Sequence, residues 1–198
     1  MSQEQEIDAL IAAGKHADAA RVALESGDAR RAADLYEKLW DWRGALEAAR
    51  AAGDLPRALR CALEAHDEAS TDELVATLEA TDEGARAALE VLVRMRRHGP
   101  AAVLAERLGD ARAIDLYQRA HRALDAARLM EAAGRDRDAG RLLERALDLA
   151  SDGERASIQL ALGRILARRG AYPEATRLLQ DARKNPALRP DAQRHLIA

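Results

Sequence analysis

The sequence predicts an all-α protein, an α-solenoid of short antiparallel helical hairpins, and three observations lead to this prediction. Gly14, Gly27 and Gly53 lie on a 13-residue grid whose other two positions hold Trp40 and His66. Thirteen residues accommodate a helix of about ten residues and a tight turn. Ala and Leu supply most of the apolar residues, and only 3% of the chain is aromatic. Both are strong helix formers, and because β-branched residues are sparse we expect no sheet.

The first repeat array covers roughly residues 4–66 and predicts one short helix for each grid interval. Glycine at a turn allows a positive φ, and an aspartate directly after it caps the next helix. Such aspartates follow four of the five grid positions: Asp28, Asp41, Asp54 and Asp67. Alanine recurs five residues after the first four grid positions, at Ala19, Ala32, Ala45 and Ala58. In the second repeat, the apolar face that stacking would bury extends from Ala32 to Leu39.

Residues 67–108 are less regular and contain the predicted boundary. Ser70-Thr71-Asp72-Glu73 is typical of a capping box that opens a short helix, and Thr81 predicts the start of a longer helix that runs to about Arg97. His98-Gly99-Pro100 predicts the end of that helix, because the residue before a proline disfavours helix. We therefore divide the chain into residues 1–98 and residues 99–198, which we expect to form one continuous solenoid.

The charges are distributed unevenly between the two halves. Residues 1–93 contain ten Lys or Arg and twenty Asp or Glu, whereas residues 94–198 contain twenty-one and fourteen. One interpretation is a drift in the composition of a solvated surface. The other is that the acidic and basic halves face different partners, or that copies of the chain associate head to tail as a homo-oligomer.

A 34-residue pattern covers residues 156–189, with a Leu-Gly pair, a Gly-x-Tyr-x-Glu-Ala turn and later apolar positions. It is formed by Leu162, Gly163, Gly170, Tyr172, Glu174, Ala175, Leu179 and Ala182. This pattern resembles the tetratricopeptide repeat family, and a weaker version covers residues 120–153. The resemblance implies a right-handed superhelix that binds protein. The 13-residue array is more similar to the shortened helical hairpins of coat-protein and transport-scaffold solenoids.

The same resemblance implies which side chains line a concave groove. Its positions in the first helix of each repeat are His121, Leu124, Arg128 and Glu131, then Ser157, Leu160, Arg164 and Ala167, and finally Asp191 and Arg194. We expect Arg128, Arg164 and Arg194 to project into one groove, where arginine forks would bind an acidic peptide or an exposed C-terminus. The alternative is that these arginines only keep the surface soluble.

The two tryptophans break the glycine pattern at one turn. Trp40 occupies a grid position and Trp42 begins the next predicted helix. We expect the two large rings to hold adjacent helices together, and the alternative is an exposed anchor for a partner.

Neither catalysis nor cofactor binding is predicted. The sequence contains no phosphate-binding glycine loop, nucleophile elbow or paired zinc ligands, so we expect no enzyme, no cofactor and no metal. Cys61 lies on the apolar face that contains Ala58 and Ala62, which predicts a buried thiol. No signal peptide or run of membrane-spanning length is found, so we expect a cytoplasmic protein with no membrane partner.

The densest basic cluster is Arg94-Met95-Arg96-Arg97-His98. Aromatic stacking groups are nearly absent beside it and acidic residues flank it, which does not favour nucleic acid as a partner. A basic end to a helix that complements the helix dipole is the simpler interpretation. The sequence therefore favours a non-enzymatic scaffold or adaptor that binds a protein or acidic peptide, with self-assembly and nucleic-acid binding as alternatives.

Overall fold

Helices follow one another along the whole described chain, as the periodic sequence predicts. The computed structural model describes the backbone of residues 2–197 and the side chains of residues 2–196. Within these residues there are fourteen α-helices and no β-strand, which confirms the all-α class. The chain forms two compact units, unit 1 (Met1–Arg97) and unit 2 (His98–Ala198). The sequence prediction divides the chain one residue later.

Unit 1 contains seven helices of similar length. They are α1 (Gln3–Ala12), α2 (His16–Glu25), α3 (Ala29–Lys38), α4 (Trp42–Ala51), α5 (Leu55–Glu64), α6 (Glu68–Leu78) and α7 (Asp82–Arg94). Each helix packs against the next, and α7 also packs against α5. Three residues connect each helix to the next, and such short connections produce antiparallel helical hairpins.

The turns of the 13-residue array have the predicted geometry. All five grid residues have a positive φ, including the non-glycine residues Trp40 and His66 at 59° and 54°. The four aspartates that follow the grid each accept a hydrogen bond from the backbone N–H three residues on, at 3.0 to 3.2 Å. These caps satisfy backbone donors that a helix start leaves unpaired, so the turn and the helix start form one repeated unit.

Three local predictions for residues 67–98 are wrong. Helix α6 begins at Glu68 with Asp67 as its cap, and the predicted capping box at Ser70 lies inside the helix. Helix α7 begins after Thr81 as predicted but ends at Arg94, because Arg96 adopts the left-handed backbone that closes the turn. His98-Gly99-Pro100 opens the next helix, where proline is tolerated because the first-turn N–H groups have no partner within the helix.

Unit 2 also contains seven helices, but their lengths range from seven to seventeen residues. The helices are α8 (His98–Arg107), α9 (Ala113–Arg119), α10 (Ala123–Ala132), α11 (Asp136–Leu149), α12 (Asp152–Arg168), α13 (Tyr172–Ala182) and α14 (Arg189–Ile197). Consecutive helices pack together, and α12 also packs against α10 and α14.

The left-handed turn of the first array recurs beyond residue 66. Arg96, Gly109, His121, Gly134 and Gly170 all have a positive φ. Thirteen, twelve and thirteen residues separate the first four of them. The short period is therefore interrupted for thirty residues after His66 and resumes from Arg96 to Gly134. The sequence conceals its return because Arg96 and His121 stand where glycine would have marked the turn.

The two units have core clusters of different composition. The alanine cluster of unit 1 consists mainly of small residues: Ile7, Ala19, Ala20, Ala23, Ala32, Ala33, Leu35 and Ala48. The branched cluster of unit 2 contains mostly larger side chains: Ala127, Met130, Ala139, Leu143, Ile158, Leu162 and Ile165. Leu39, which was predicted for the buried face of α3, is exposed and lies at the end of that helix.

A close approach of α12 and α13 explains the glycine of the Leu-Gly pair. A Cβ atom on Gly163 would lie 2.9 Å from Cγ of Leu179 and 3.3 Å from the carbonyl oxygen of Ala175. Leu179 is itself fully buried, so it has little room to move. Residue 163 must therefore be small for these two helices to pack as they do.

Candidate partner-binding site

The first predicted groove arginine, Arg128, is already bound to a carboxylate of the protein. On α10, its Nη2 atom donates to both carboxylate oxygens of Glu106 on α8, at 2.7 and 2.8 Å. The hydroxyl of Tyr117 donates to the same carboxylate at 2.7 Å. The hydrogen bond from Tyr117 has the larger effect, and together with those from Arg128 it holds the pKa of Glu106 below its usual value. Arg128 thus links two helices and is not a free binding group.

The second predicted arginine, Arg164 on α12, is paired in the same way. Its Nη2 atom lies 3.1 Å from Oε1 of Glu131 on α10. Arg168 donates to the other oxygen of Glu131 at 2.6 Å and to Asp136 at 3.2 Å. The side chain of Glu131 is only 13% exposed, so this predicted site residue joins helices within unit 2.

Arg164 and Arg194 nevertheless line one small cavity together. The cavity has a volume of about 250 Å³ and is lined by Leu160, Arg164, Asp191, Arg194 and His195. The side chain of Arg194 is 77% exposed and forms an ion pair with Asp191, three residues before it on α14. The structure therefore brings together two of the three predicted arginines, whereas Arg128 is held by Glu106 and does not line this cavity.

A larger cavity, here called the overhang cavity, is lined by predicted and unpredicted residues. Its volume of about 760 Å³ falls in the range of sites that bury a small ligand or an anchoring side chain. Its lining consists of Gln118, His121, Arg122, Ala123, Leu124, Asp125, Leu142, Arg145, Ala146, Leu149, Ala150, Glu154 and Ile158. The predicted residues His121 and Leu124 lie here, on the turn between α9 and α10 and on α10.

Unequal helix lengths produce the overhang cavity. Helix α9 has seven residues and α10 has ten, whereas α11 and α12 have fourteen and seventeen. The end of α11 and the start of α12 extend beyond the turn between α9 and α10, and the space beneath them stays open. Leu149, the last residue of α11, is 88% exposed as a result.

The rim of the overhang cavity carries charges of both signs. Arg122 pairs with Asp125 at 2.8 Å and its guanidinium lies 5.0 Å from the centre of the Tyr117 ring. Glu154 accepts a hydrogen bond from the hydroxyl of Ser151. Arg145 donates to the carbonyl oxygen of Arg141 at 3.3 Å, and among residues 2–196 no carboxylate is shown paired with it. Arg145 is thus a rim cation that remains available to an outside acid.

The two tryptophans lie in unit 1, at the turn between α3 and α4. Trp40 is 76% exposed, so the prediction that its ring joins adjacent helices is wrong. Its ring packs edge to face against Trp42, with 5.6 Å between ring centroids. Trp42 is half-buried and lies 6.0 Å from the guanidinium of Arg60 on α5, so this second ring does contact a neighbouring helix.

Unit 1 contains a group of ion pairs between α3 and α5. Glu37 accepts hydrogen bonds from Arg57 at 2.6 Å and from Arg60 at 2.5 Å. Burial alone would raise the pKa of Glu37, but the two arginines outweigh it and hold the pKa below its usual value. Cys61 is buried beside this group, as predicted, and burial raises its thiol pKa to about 11. A neutral, buried thiol is not a nucleophile.

Sequence reasoning missed the residues at the end of α11 that complete the overhang cavity. Leu142, Arg145 and Leu149 follow one another at helical spacing on one face of α11. The sequence signal for these residues is the apolar pattern of α11, which continues one turn past the ten residues of the short repeats. The sequence shows this pattern, but it does not show that no helix covers Leu149.

In the described part of the chain, no group of three His, Cys, Asp or Glu residues could hold a metal ion. None of the described helices is both long and apolar enough to cross a membrane. No protein-family model matches the sequence, and no curated protein matches it. Membership of the tetratricopeptide family thus stays a prediction that rests on the residues named above.

Proposed function

We propose that this chain is a cytoplasmic, non-enzymatic scaffold that binds a partner protein through the overhang cavity of unit 2. The partner contributes an apolar side chain that fills the cavity and acidic residues that flank it. The supporting observation is the cavity itself, with the apolar side chains of Leu124, Leu142, Leu149 and Ile158 in its lining. Anchoring side chains that fill such pockets provide most of the affinity of a typical protein interface.

The charge of unit 2 supports an acidic partner segment. Residues 98–198 contain eighteen Lys or Arg and fourteen Asp or Glu. At the rim, Arg145 has its guanidinium free of any carboxylate shown in the described chain. An arginine fork binds a carboxylate in two parallel hydrogen bonds, which fixes the orientation of a bound peptide. Arg194, the most exposed of the predicted groove arginines, would extend this attraction along the unit.

The tetratricopeptide architecture and its right-handed superhelix are part of the same proposal. Support comes from the close packing of Gly163 against Leu179, because both residues belong to the pattern on which the resemblance rests. Repeats of this kind stack so that each contacts only its neighbours and leave one extended surface for binding.

Peptide binding measured by fluorescence anisotropy tests this function. The probes are short, labelled acidic peptides with one central Leu or Trp, and the control peptides have Ser at that position. We expect the apolar peptides to bind and Leu149→Asp to weaken them by about tenfold or more, because a buried anchor would meet a charge. Val103→Asp is the matched control, since Val103 is also an exposed apolar residue of unit 2.

Arg194→Glu tests the electrostatic contribution in the same assay. Among the three predicted arginines it is the clearest choice, because charge reversal at Arg128 or Arg164 would break pairs that join different helices, whereas the pair of Arg194 with Asp191 lies within α14. We expect Arg194→Glu to bind the peptide more weakly than wild type, and the difference between the two affinities to shrink as the salt concentration is raised. Equal binding of apolar and Ser peptides, or no effect of Leu149→Asp, would contradict the proposed function.

A further inference from the structure

Trp40 exposes a large apolar side chain at a turn, whereas three of the other four grid positions hold glycine. Gly14, Gly27 and Gly53 occupy the equivalent turns of the array, and Trp40 has the same left-handed backbone with a φ of 59°. That backbone disfavours residues with a Cβ atom, so tryptophan is a poor choice for the turn itself. Its ring is largely exposed and packs in a T-shaped arrangement with the Trp42 ring. His66, Arg96 and His121 have the same left-handed backbone, so the large exposed ring, and not the turn geometry, distinguishes Trp40.

The overhang cavity of unit 2 has the complementary properties. It is open, its lining combines apolar and charged side chains, and Leu149 lies exposed at its edge. Each surface also carries both charges, with Lys38 and Asp41 beside Trp40, and Arg145 and Glu154 on the rim. The units that bear these surfaces differ in net charge, since residues 1–97 contain thirteen basic and twenty acidic side chains and residues 98–198 contain eighteen and fourteen.

We infer that the overhang cavity binds the Trp40 turn of a second copy of this chain, so that copies associate head to tail. The inference rests on the proposed function, because it names the occupant of the same cavity. The Trp40 ring fills the apolar space, and Asp41 beside it meets Arg145 on the rim. Because the two surfaces are different, the contact is heterologous and each bound copy still offers one free surface. Assembly therefore grows with concentration unless a ring closes.

Sedimentation velocity of the full chain over a range of concentrations, at low and at high salt, tests the assembly. We expect the wild-type weight-average mass to rise with concentration and the rise to be smaller at high salt, where attraction between oppositely charged units is screened. A wild-type protein that stays monomeric at the highest concentration and low salt would overturn the inference.

Trp40→Gly removes the anchor without disturbing the turn, since glycine occupies this backbone conformation elsewhere in the array. We expect this variant to be monomeric and to melt no lower than wild type. Tyr172→Ala is the matched control, because Tyr172 is another exposed aromatic residue, and it should assemble like wild type. Self-association of Trp40→Gly equal to wild type would overturn the inference.

A mixing experiment tests both surfaces at once. Leu149→Asp damages the cavity and leaves the Trp40 turn intact, whereas Trp40→Gly does the reverse. Each variant alone should be monomeric, and an equimolar mixture should form a one-to-one dimer that grows no further. Failure of the mixture to dimerise, with each variant folded by circular dichroism, would overturn the inference.

Peptide binding separates a failure of this inference from a failure of the proposed function. Trp40→Gly retains the cavity, so it should bind the labelled acidic Trp peptide at least as tightly as wild type, whose cavities are partly filled by other copies. A monomeric wild type that still binds the peptide through Leu149 would overturn the self-association alone. Absence of both peptide binding and self-association would overturn both proposals.

Discussion

The alanine cluster of unit 1 and the branched cluster of unit 2 both pack neighbouring helices together, but they do so with side chains of different size. Six of the eight residues of the alanine cluster are alanine, compared with two of the seven residues of the branched cluster. The distance between packed helices depends on the side chains at their contact, so small residues allow a close approach. Helices α1 to α5 also share a constant length of ten residues.

The two units also differ in helix length, and the overhang cavity lies where the length changes. In unit 1, helices α1 to α5 all contain ten residues, so none of them is longer than its neighbour. In unit 2 the longer helices α11 and α12 extend past the shorter α9 and α10, and the uncovered ends line the overhang cavity. In unit 2, the change in helix length therefore coincides with a cavity whose lining includes four large apolar side chains.

The largest effect should come from a cavity in the branched cluster. Leu143 is fully buried there, and Leu143→Ala should lower the free energy of unfolding by about 2–5 kcal/mol, because the neighbours can only partly fill the space. Leu149→Ala on the same helix is the control, and its change should stay within about 0.5 kcal/mol, since the residue is exposed. Urea unfolding followed by circular dichroism compares the two. Equal losses would mean that Leu143 does not belong to a packed core.

The alanine cluster should be destabilised by added side-chain volume, whereas the branched cluster is destabilised by its loss. Ala32 is fully buried against other small residues, and Ala32→Leu should overpack the contact and cost about 1–3 kcal/mol. Ala51→Leu, at an exposed position of α4, should change stability little. The same urea experiment measures both. A neutral Ala32→Leu would show that the helices of unit 1 are not held at close range by small residues.

Two glycines on α12 test the close approach of α12 and α13. Gly163→Ala should destabilise by on the order of 1 kcal/mol, because its Cβ would press on Leu179 and the gain in helix propensity only partly offsets this. Gly153 has no atom within 4 Å of such a Cβ, so Gly153→Ala should stabilise by up to about 1 kcal/mol. Changes of the same sign in thermal melts would contradict this packing.

The smallest expected effect concerns the pH dependence of unit 1. The arginines that face Glu37 hold its pKa below the ordinary value of 4.5, so its stabilising contribution is complete above that value. It is lost as the pH falls through the lowered pKa, because the unfolded chain then binds the proton more tightly than the folded protein. Melting temperatures measured from neutral pH to below pH 4.5 should therefore decline less steeply for Glu37→Gln than for wild type. Glu47→Gln, at an exposed position, is the control and should follow wild type.

Individual residues show how far the sequence led towards the candidate site. The resemblance selected His121 and Leu124, which line the overhang cavity, and Arg164 and Arg194, which share the smaller one. It could not reveal that Arg128 and Arg164 are neutralised, because Glu106 and Glu131 lie twenty-two and thirty-three residues earlier in the chain. Pairing across helices depends on how the hairpins stack, and no local pattern encodes it.

The helical class, the left-handed turns and the helix starts of the first array could be predicted from the sequence. These features follow from interactions within a few residues: the conformational freedom of glycine, the aspartate caps and the 3.6-residue period of the apolar face. Which side chains are covered depends on how the helices pack, and this packing leaves Trp40 and Leu149 exposed and Glu131 enclosed. Exposure depends on whether a distant helix is long enough to reach a residue, which is a property of the packed chain.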